Sequence, residues 1–137
     1  MDKTDELIIQ ILKDDSRLPF VEIAKRVGLS EAAVRRRMSN LTETGVIKRF
    51  TVDVNDSQQT SAIIYVSVSP SVPTIEVSRR IKGVQGVVTV YETTGPFDIT
   101  AVLKGSNIAS LNKTVDEIRR LAGVLSTNTS IILKSID

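Results

Sequence analysis

The chain has 137 residues, of which 25% are charged and 41% hydrophobic, a composition typical of one ordinary globular domain or two very small ones. It contains no cysteine and no histidine, which excludes disulfides, thiolate metal sites and histidine bases, so we expect no catalytic site, metal or cofactor. No apolar run approaches the roughly 20 residues of a membrane span, and no basic-then-apolar leader opens the chain, so the expected location is the cytoplasm, with no membrane partner.

Positive charge is concentrated in one part of the chain. Residues 16–50 carry eight basic side chains against three acidic ones, whereas residues 1–15 carry two against five and residues 51–137 carry eight of each. Such a basic segment is typical of a protein that binds a polyanion, although a solvated basic face is the alternative for any single residue.

The first predicted helix covers residues 4–14, with Thr4 as its N-cap and acidic side chains in the first turn, where they suit the helix dipole. Its apolar stripe is Leu7, Ile8, Ile11 and Leu12. A second helix is predicted over residues 20–27 and ends at Gly28, because glycine readily takes the left-handed conformation of a helix C-terminus.

A third helix is predicted to begin at the N-cap Ser30 and to stop near Gly45. Its inward face is formed by Val34, Met38 and Leu41. Two helices joined through a glycine turn, the second of them strongly basic, predict a helix-turn-helix whose third helix enters the major groove of DNA.

The three consecutive arginines of this helix are predicted to differ in role. Arg36 faces outward, Arg35 lies on one flank, and Arg37 lies near the apolar edge, where it contacts either a phosphate or an acid of the first helix. An amphipathic core helix with a solvated arginine run is the alternative. The candidate DNA contacts are Ser30, Glu31, Ala32, Arg35, Arg36, Arg37, Ser39, Asn40, Lys48 and Arg49.

A short extended segment and a linker are predicted to follow. Phe50, Val52 and Val54 alternate with polar residues, which predicts a strand, and its basic start is placed to touch the phosphate backbone. Residues 55–60 are polar. We therefore predict a DNA-binding domain over residues 1–50, a strand and linker over 51–60, and a second domain over 61–137.

The second domain is predicted to have the element order β-α-β-β-α-β, which is the ferredoxin-like arrangement. The predicted strands are 61–69, 87–93, 98–104 and 124–133. One predicted helix covers 71–82, and the other is capped by Ser106 or Asn107 and runs to Leu121. Both helices cover one face of such a sheet, and apolar residues also fall on the other. An apolar open face favours pairing with a second copy of the chain.

With both halves in view, the chain resembles the Lrp/AsnC family of leucine-responsive, or "feast/famine", transcription regulators over essentially its whole length. The residues that carry the resemblance are Asp2, Asp5, Ile8, Ile11-Leu12, Asp15, Arg17, Phe20, Ile23-Ala24, Val27-Gly28-Leu29-Ser30, Val34, Arg37-Met38, Leu41, Gly45-Val46-Ile47 and Thr94-Gly95-Pro96-Phe97-Asp98. The resemblance implies an α+β fold, with an N-terminal helix-turn-helix (winged-helix-like) domain and a C-terminal βαββαβ ferredoxin-like regulatory domain. It also implies homodimers, assembled further into tetramers or octamers, that bind amino acids between dimers.

The Thr94–Asp98 turn is similar to the family's Gly-x-x-Asp effector loop. The resemblance makes Gly95 and Asp98 the foremost effector contacts, since turn N–H groups can hold a carboxylate and Asp98 can pair with an α-ammonium. The candidate effector residues are Gly95, Pro96, Phe97, Asp98, Thr127 and Thr129. Pro96 is a departure from the family, because many relatives have an aromatic or small residue there and proline removes an N–H donor.

The sequence thus predicts a regulator that binds a pseudo-palindromic operator in double-stranded DNA under the control of an amino-acid effector. An architectural, weakly specific DNA-packaging protein without an effector is the alternative. An amino-acid-binding enzyme with Asp98 as base is disfavoured, because the chain lacks histidine, cysteine, a paired-carboxylate motif and a phosphate loop.

Overall fold

The computed structural model describes residues 1–136; Asp137, the last residue of the predicted regulatory domain, lies outside them. The chain divides into two compact units, Met1–Val54 and a second unit that begins at Asn55. The first unit is helical and the second combines a sheet with two helices, so the fold is of the predicted α+β class. No helix within residues 1–136 has both the length and the apolar character that crossing a bilayer requires.

Three helices build the first unit, namely α1 (Lys3–Asp14), α2 (Phe20–Val27) and α3 (Glu31–Glu43). All three contribute to one core of buried side chains: Ile8, Ile11, Ile23, Ala24, Val34 and Met38. The predicted apolar stripes are therefore confirmed except at Leu7, which is 47% exposed. The face of α1 centred on Ile8 and Ile11 meets the core, and this turns Leu7 out to solvent.

The start of α1 differs from the prediction. Asp2, not Thr4, is the N-cap: its carboxylate accepts a hydrogen bond from the Asp5 N–H at 2.9 Å. The Asp5 carboxylate in turn accepts from the Asp2 N–H at 3.0 Å, which completes a reciprocal capping box. Two N–H groups of the first turn are thereby satisfied, and Thr4 falls inside the helix.

The predicted strand at Phe50–Val54 is wrong. Within the described chain no strand is formed between α3 and Thr60, and Phe50, Val52 and Val54 are all more than half exposed. A strand needs a neighbour to accept and donate its ladder hydrogen bonds, and the first unit provides none. The alternation of apolar and polar residues is real, but the described part of the first unit offers it no strand to pair with.

The second unit has the predicted βαββαβ order. Its elements are β1 (Thr60–Val68), α4 (Thr74–Lys82), β2 (Val87–Glu92), β3 (Ile99–Gly105), α5 (Ile108–Arg119) and β4 (Val124–Ile132). The strands form one antiparallel sheet in the order β2-β3-β1-β4. Pro73 is the N-cap of α4, so that helix starts later than the predicted residue 71. Asn107, one of the two predicted caps, forms a capping box with Ser110 at the start of α5.

Alternate residues of the two central strands form the core of the second unit. In β1 the residues from Ala62 to Val68 alternate between buried and half-buried positions, and the buried ones pack with β3 and with both helices. The helices contribute Val77, Ile81, Leu111 and Ile118 to this core. Both helices thus cover the same face of the sheet, and the opposite face keeps half-buried apolar side chains such as Ile63 and Val102.

Candidate nucleic-acid interface and effector site

The turn before α3 fixes where the basic helix begins. Gly28 lies in the left-handed region at φ 71°, and the Leu29 N–H donates to the Ala24 carbonyl at 3.0 Å, which ends α2. Ser30 then starts α3, as predicted: its Oγ accepts a hydrogen bond from the Ala33 N–H at 3.2 Å. The side chains of Glu31 and Ala32 are exposed on the first turn that follows.

Arg37 is held by the first helix. Its guanidinium donates to the carboxylates of Asp2 and Asp5 at 2.7 and 2.8 Å. Of the two predicted alternatives, a phosphate or an acid of the first helix, the chain shows the second. Because its donors are directed at α1, we remove Arg37 from the candidate DNA contacts.

This ion-pair cluster changes the acid–base properties of its members. Hydrogen bonds from the Asp2 backbone amide and then from the Arg37 guanidinium hold the pKa of Asp5 below its ordinary value. The Asp5 amide and then Arg37 lower the pKa of Asp2 in the same way. The two carboxylates raise the pKa of Arg37, so all three groups stay charged together over the neutral range.

Arg35 is held on two sides. Its Nη2 donates to Glu31 Oε1 at 2.8 Å, one helical turn earlier. On the other side, its guanidinium carbon lies 5.1 Å from the centre of the Phe20 ring, within the range of a cation–π contact. The residue that stacks on Arg35 was not foreseen, because Phe20 lies on a different helix and no sequence spacing links the two.

Arg36 is the arginine of the run that points away from the protein. Its side chain is exposed, and within residues 1–136 it makes no ion pair. Asn40, one turn later, is also exposed. Ser39, the residue before Asn40, differs. Its Oγ donates to Glu43 Oε1 at 2.9 Å, so its hydroxyl proton already has an acceptor on the same helix.

Lys48 and Arg49 are exposed, as a phosphate contact would require, but they stand on an irregular segment rather than at the start of a strand. The segment is held to α3 by the Ile47 N–H, which donates to the Leu41 carbonyl at 2.9 Å. The basic side chains therefore follow directly after a fixed point at the end of α3.

The predicted effector loop is the turn between β2 and β3. Gly95 lies at φ 106°, a conformation that favours glycine, and the Thr93 N–H donates to the Asp98 carbonyl at 3.0 Å to close the hairpin. Pro96 is exposed, while the Phe97 ring turns back toward the sheet and lies 5.3 Å from the Tyr65 ring. The turn is thus anchored at Phe97 and open at Gly95 and Pro96.

Asp98 has a structural contact that the sequence did not reveal. One carboxylate oxygen accepts a hydrogen bond from the Val68 N–H at 2.8 Å, and the Asp98 N–H donates to the Val66 carbonyl at 3.0 Å. Asp98 therefore ties the hairpin to the end of β1. A small cavity of about 290 Å³ lies beside it, and its lining residues are Thr74, Glu92, Thr93, Thr94 and Asp98.

Thr127 and Thr129 do not converge with this turn. They pair with Val66 and Ile64 of β1, whose side chains are fully buried beneath the helices, so the threonines point to that same face. Strand β1 also separates β4 from β3, which places Thr127 roughly 10 Å from Asp98, two strand spacings away. Their shared face on β4 was predicted correctly.

Glu92 is one of the cavity residues that were not among the sequence candidates. It lies at the end of β2, and its Oε1 accepts a hydrogen bond from the hydroxyl of Ser78, which is buried in α4. Its place directly before the Thr93–Asp98 turn was the available signal. Within the described residues no cluster of three or more acidic side chains is close enough to hold a metal ion.

A helix-turn-helix with an outward-pointing arginine, followed by a separate sheet-and-helix unit, is the arrangement of a DNA-binding regulator. A family described as winged helix-turn-helix DNA-binding matches residues 1–48, and the family described as the Lrp/AsnC ligand binding domain matches residues 61–137. The chain belongs to the Lrp/AsnC family of transcription regulators, which confirms the resemblance and the expectation that it is not an enzyme.

Relatives of known class agree along nearly the whole chain. The HTH-type transcriptional regulator LysM of Sulfurisphaera tokodaii is 49% identical over 134 residues, covering 98% of this chain and 96% of the relative. LysM of Saccharolobus solfataricus is 44% identical, covering 98% and 95%.

Solved structures show the same fold. The leucine response regulatory protein LrpA of Mycobacterium tuberculosis superposes with a TM-score of 0.89 at 26% identity, covering all of this chain and 95% of the other. A transcriptional regulator of Neisseria meningitidis, solved as a complex with L-methionine, gives a TM-score of 0.86 at 25% identity, covering 100% and 92%.

Proposed function

We propose that the protein binds a pseudo-palindromic operator as a homodimer or a larger assembly of dimers, and that an amino acid bound to the second unit modulates this binding. Residues 1–50 read the DNA, 51–60 connect, and 61–137 pair the copies and hold the effector. Two copies of α3 would then enter successive major grooves about 34 Å apart.

The different contacts of the three arginines support the DNA-binding part of the proposal. Arg37 holds α3 against α1, and this frees the opposite side of the helix for the groove. Arg36 is exposed and makes no ion pair within residues 1–136. A guanidinium bonded to guanine O6 and N7 is a common base-specific contact. The proposed contacts are Ser30, Glu31, Ala32, Arg35, Arg36, Ser39, Asn40, Lys48 and Arg49.

The open face of the sheet supports the pairing of copies. Tyr91 is 55% exposed on this face. Three further side chains there are only half-buried, namely Ile63, Tyr65 and Val102. They are exposed because, within the described residues, both helices of this unit pack on the other face. Apolar and aromatic side chains left in this position favour an interface with an identical surface across a two-fold axis.

The hairpin turn supports the effector half. Gly95 leaves backbone at the surface, and Asp98 keeps one carboxylate oxygen beyond the one that Val68 uses. Such a site suits an amino acid, because backbone N–H groups of the turn donate to its carboxylate and the Asp98 carboxylate accepts from its ammonium. The Neisseria relative, solved with L-methionine, supports this ligand class. The proposed contacts are Gly95, Pro96, Phe97 and Asp98.

Selection of binding sites from random DNA, followed by gel-shift titration, tests the DNA half. We expect Arg36→Ala to weaken binding to the selected site by about 1–3 kcal/mol and to relax the base preference at one position in each half-site. Arg79→Ala, an equal change of charge on α4, is the matched control and should leave the preference intact. An unchanged affinity and preference in Arg36→Ala would refute this placement of α3.

Calorimetric titration with each of the twenty amino acids tests the effector half. We expect heat from at least one of them, and loss of that heat in Asp98→Ala. No heat from any amino acid, together with no site preference in the selection, would favour the architectural DNA-packaging function instead.

A further inference from the structure

The exposed surface of α3 carries two acidic groups among its arginines, Glu31 in the first turn and Glu43 at the end. Glu31 is the first residue of the helix, half-exposed, and its carboxylate lies 2.8 Å from the Arg35 guanidinium. An acid suits a helix N-terminus, but it stands at the end of α3 that points toward DNA in the proposed function. A carboxylate at that place repels phosphate, so a purely attractive surface would not include it.

The contacts of Arg35 explain what this acid does. Glu31 takes one Nη2 donor and Phe20 lies against the guanidinium, so the side chain is held along the helix rather than free to swing. To neutralise a phosphate, Arg35 must either leave Glu31 or bring that carboxylate up to the phosphate. Both alternatives cost free energy on any DNA, whatever its sequence.

A matching base pair avoids this cost. Arginine has five N–H donors in a fixed fork, and the pair with Glu31 uses only one nitrogen, so the remaining donors of a fixed Arg35 can reach guanine O6 and N7. The second Glu31 oxygen can accept from a cytosine amino group. At the correct sequence both charges are satisfied without breaking the pair.

We propose that Glu31 is a specificity-determining residue that acts through Arg35: it withholds Arg35 from the phosphates of non-operator DNA. The inference rests on the proposed placement of α3 in the major groove. It assigns to Glu31 a function in rejecting wrong sequences, in addition to any contact with the right one.

The salt dependence of binding to a scrambled duplex tests the proposal in the full-length protein. In Glu31→Gln, Arg35 is released to neutralise one more phosphate per copy. The slope of log K against log salt should therefore steepen by about 0.9 for each copy bound. At about 0.1 M salt we expect roughly 3–10-fold tighter binding to the scrambled duplex. Binding to the selected operator should gain less, so the ratio of specific to nonspecific affinity falls.

Two further variants separate this mechanism from a simple change of net charge. Glu43→Gln removes the same charge from the same helix, but Glu43 is bonded to Ser39 rather than to an arginine, so it should leave the slope unchanged. Adding Arg35→Gln to Glu31→Gln should remove the extra slope, because no guanidinium is then released.

The outcomes are distinct from those of the proposed function. An unchanged slope in Glu31→Gln, an equal steepening in Glu43→Gln, or a steepening that persists without Arg35 would each overturn the inference. If Arg36→Ala still relaxes base preference in these cases, the proposed DNA-binding function is retained and only the inference about Glu31 fails. If Arg36→Ala has no effect, both fail.

Discussion

The guanidinium of Arg37 donates to the carboxylate of Asp5 across 2.8 Å, and this contact ties the basic helix α3 to the capped end of α1. Asp5 is only 7% exposed, so the pair is shielded on one side. The same carboxylate closes the capping box of α1, so one acidic residue serves both the start of a helix and the attachment of another.

Neighbouring arginines should therefore affect different properties. We expect Arg37→Ala to lower the thermal midpoint of the first unit, because two carboxylates lose their partner. Arg36→Ala should change the free energy of unfolding by no more than about 0.5 kcal/mol, as is usual for an exposed side chain. Circular dichroism melts of both variants measure the difference; equal melts would show that the Arg37 cluster does not stabilise the fold.

Stability should decline in acid through the same cluster. The pKa of Asp5 is held below its ordinary value of 3.8, chiefly by the Asp2 amide and next by Arg37, so the stabilisation is complete above that value. It is lost as the pH falls through the lowered pKa, when the folded carboxylate takes up a proton.

The measurement is urea unfolding of wild type and Asp5→Asn at a series of pH values. The deficit of Asp5→Asn should be full at neutral pH and should shrink below about pH 4. In an Arg37→Ala background this pH dependence should weaken without vanishing, because the Asp2 amide still donates. A deficit that is constant down to pH 2 would contradict the account.

Two substitutions of Asp98 should distinguish its structural hydrogen bond from its negative charge. Asp98→Asn keeps an oxygen that can accept from the Val68 N–H, so we expect a folded protein that has lost the response to the proposed amino-acid effector. Asp98→Ala leaves that N–H without its acceptor, which costs about 1–3 kcal/mol in addition. Chemical unfolding and amino-acid titration of both variants test this. A full response to the amino acid in Asp98→Asn would show that the charge of Asp98 has no role in binding it.

Adjacent residues of β1 should respond oppositely to truncation. Ile64 is fully buried, so Ile64→Ala should cost about 2–5 kcal/mol of unfolding free energy. Ile63 lies on the open face, and Ile63→Ala should cost about 1 kcal/mol or less while weakening self-association. Unfolding titrations with sedimentation velocity distinguish the two, and a large cost at Ile63 without change in assembly would refute the interface.

Much of the fold was predictable because its signals are local. The spacing of Ile8 with Ile11 and the glycine at position 28 mark helices and their ends within a few residues, and such patterns depend on one element at a time. The role of Arg37 was half-predictable, since its position near the apolar edge restricted it to two partners.

The features that could not be predicted involve two elements at once. The sequence places Thr127 and Thr129 on one face of β4, but only the register with β1 shows that this is the face beneath the helices. The contact of Arg35 with Phe20 likewise depends on how α2 crosses α3. The Phe50–Val54 segment has the alternation of a strand, and periodicity alone does not supply a neighbour.

The two clusters of buried side chains have no member in common. A substitution within one cluster thus removes no side chain from the other. In the proposed function, operator preference and effector preference can therefore change as independent traits, and a duplicated gene would then acquire a new ligand while keeping its old operators, or the reverse.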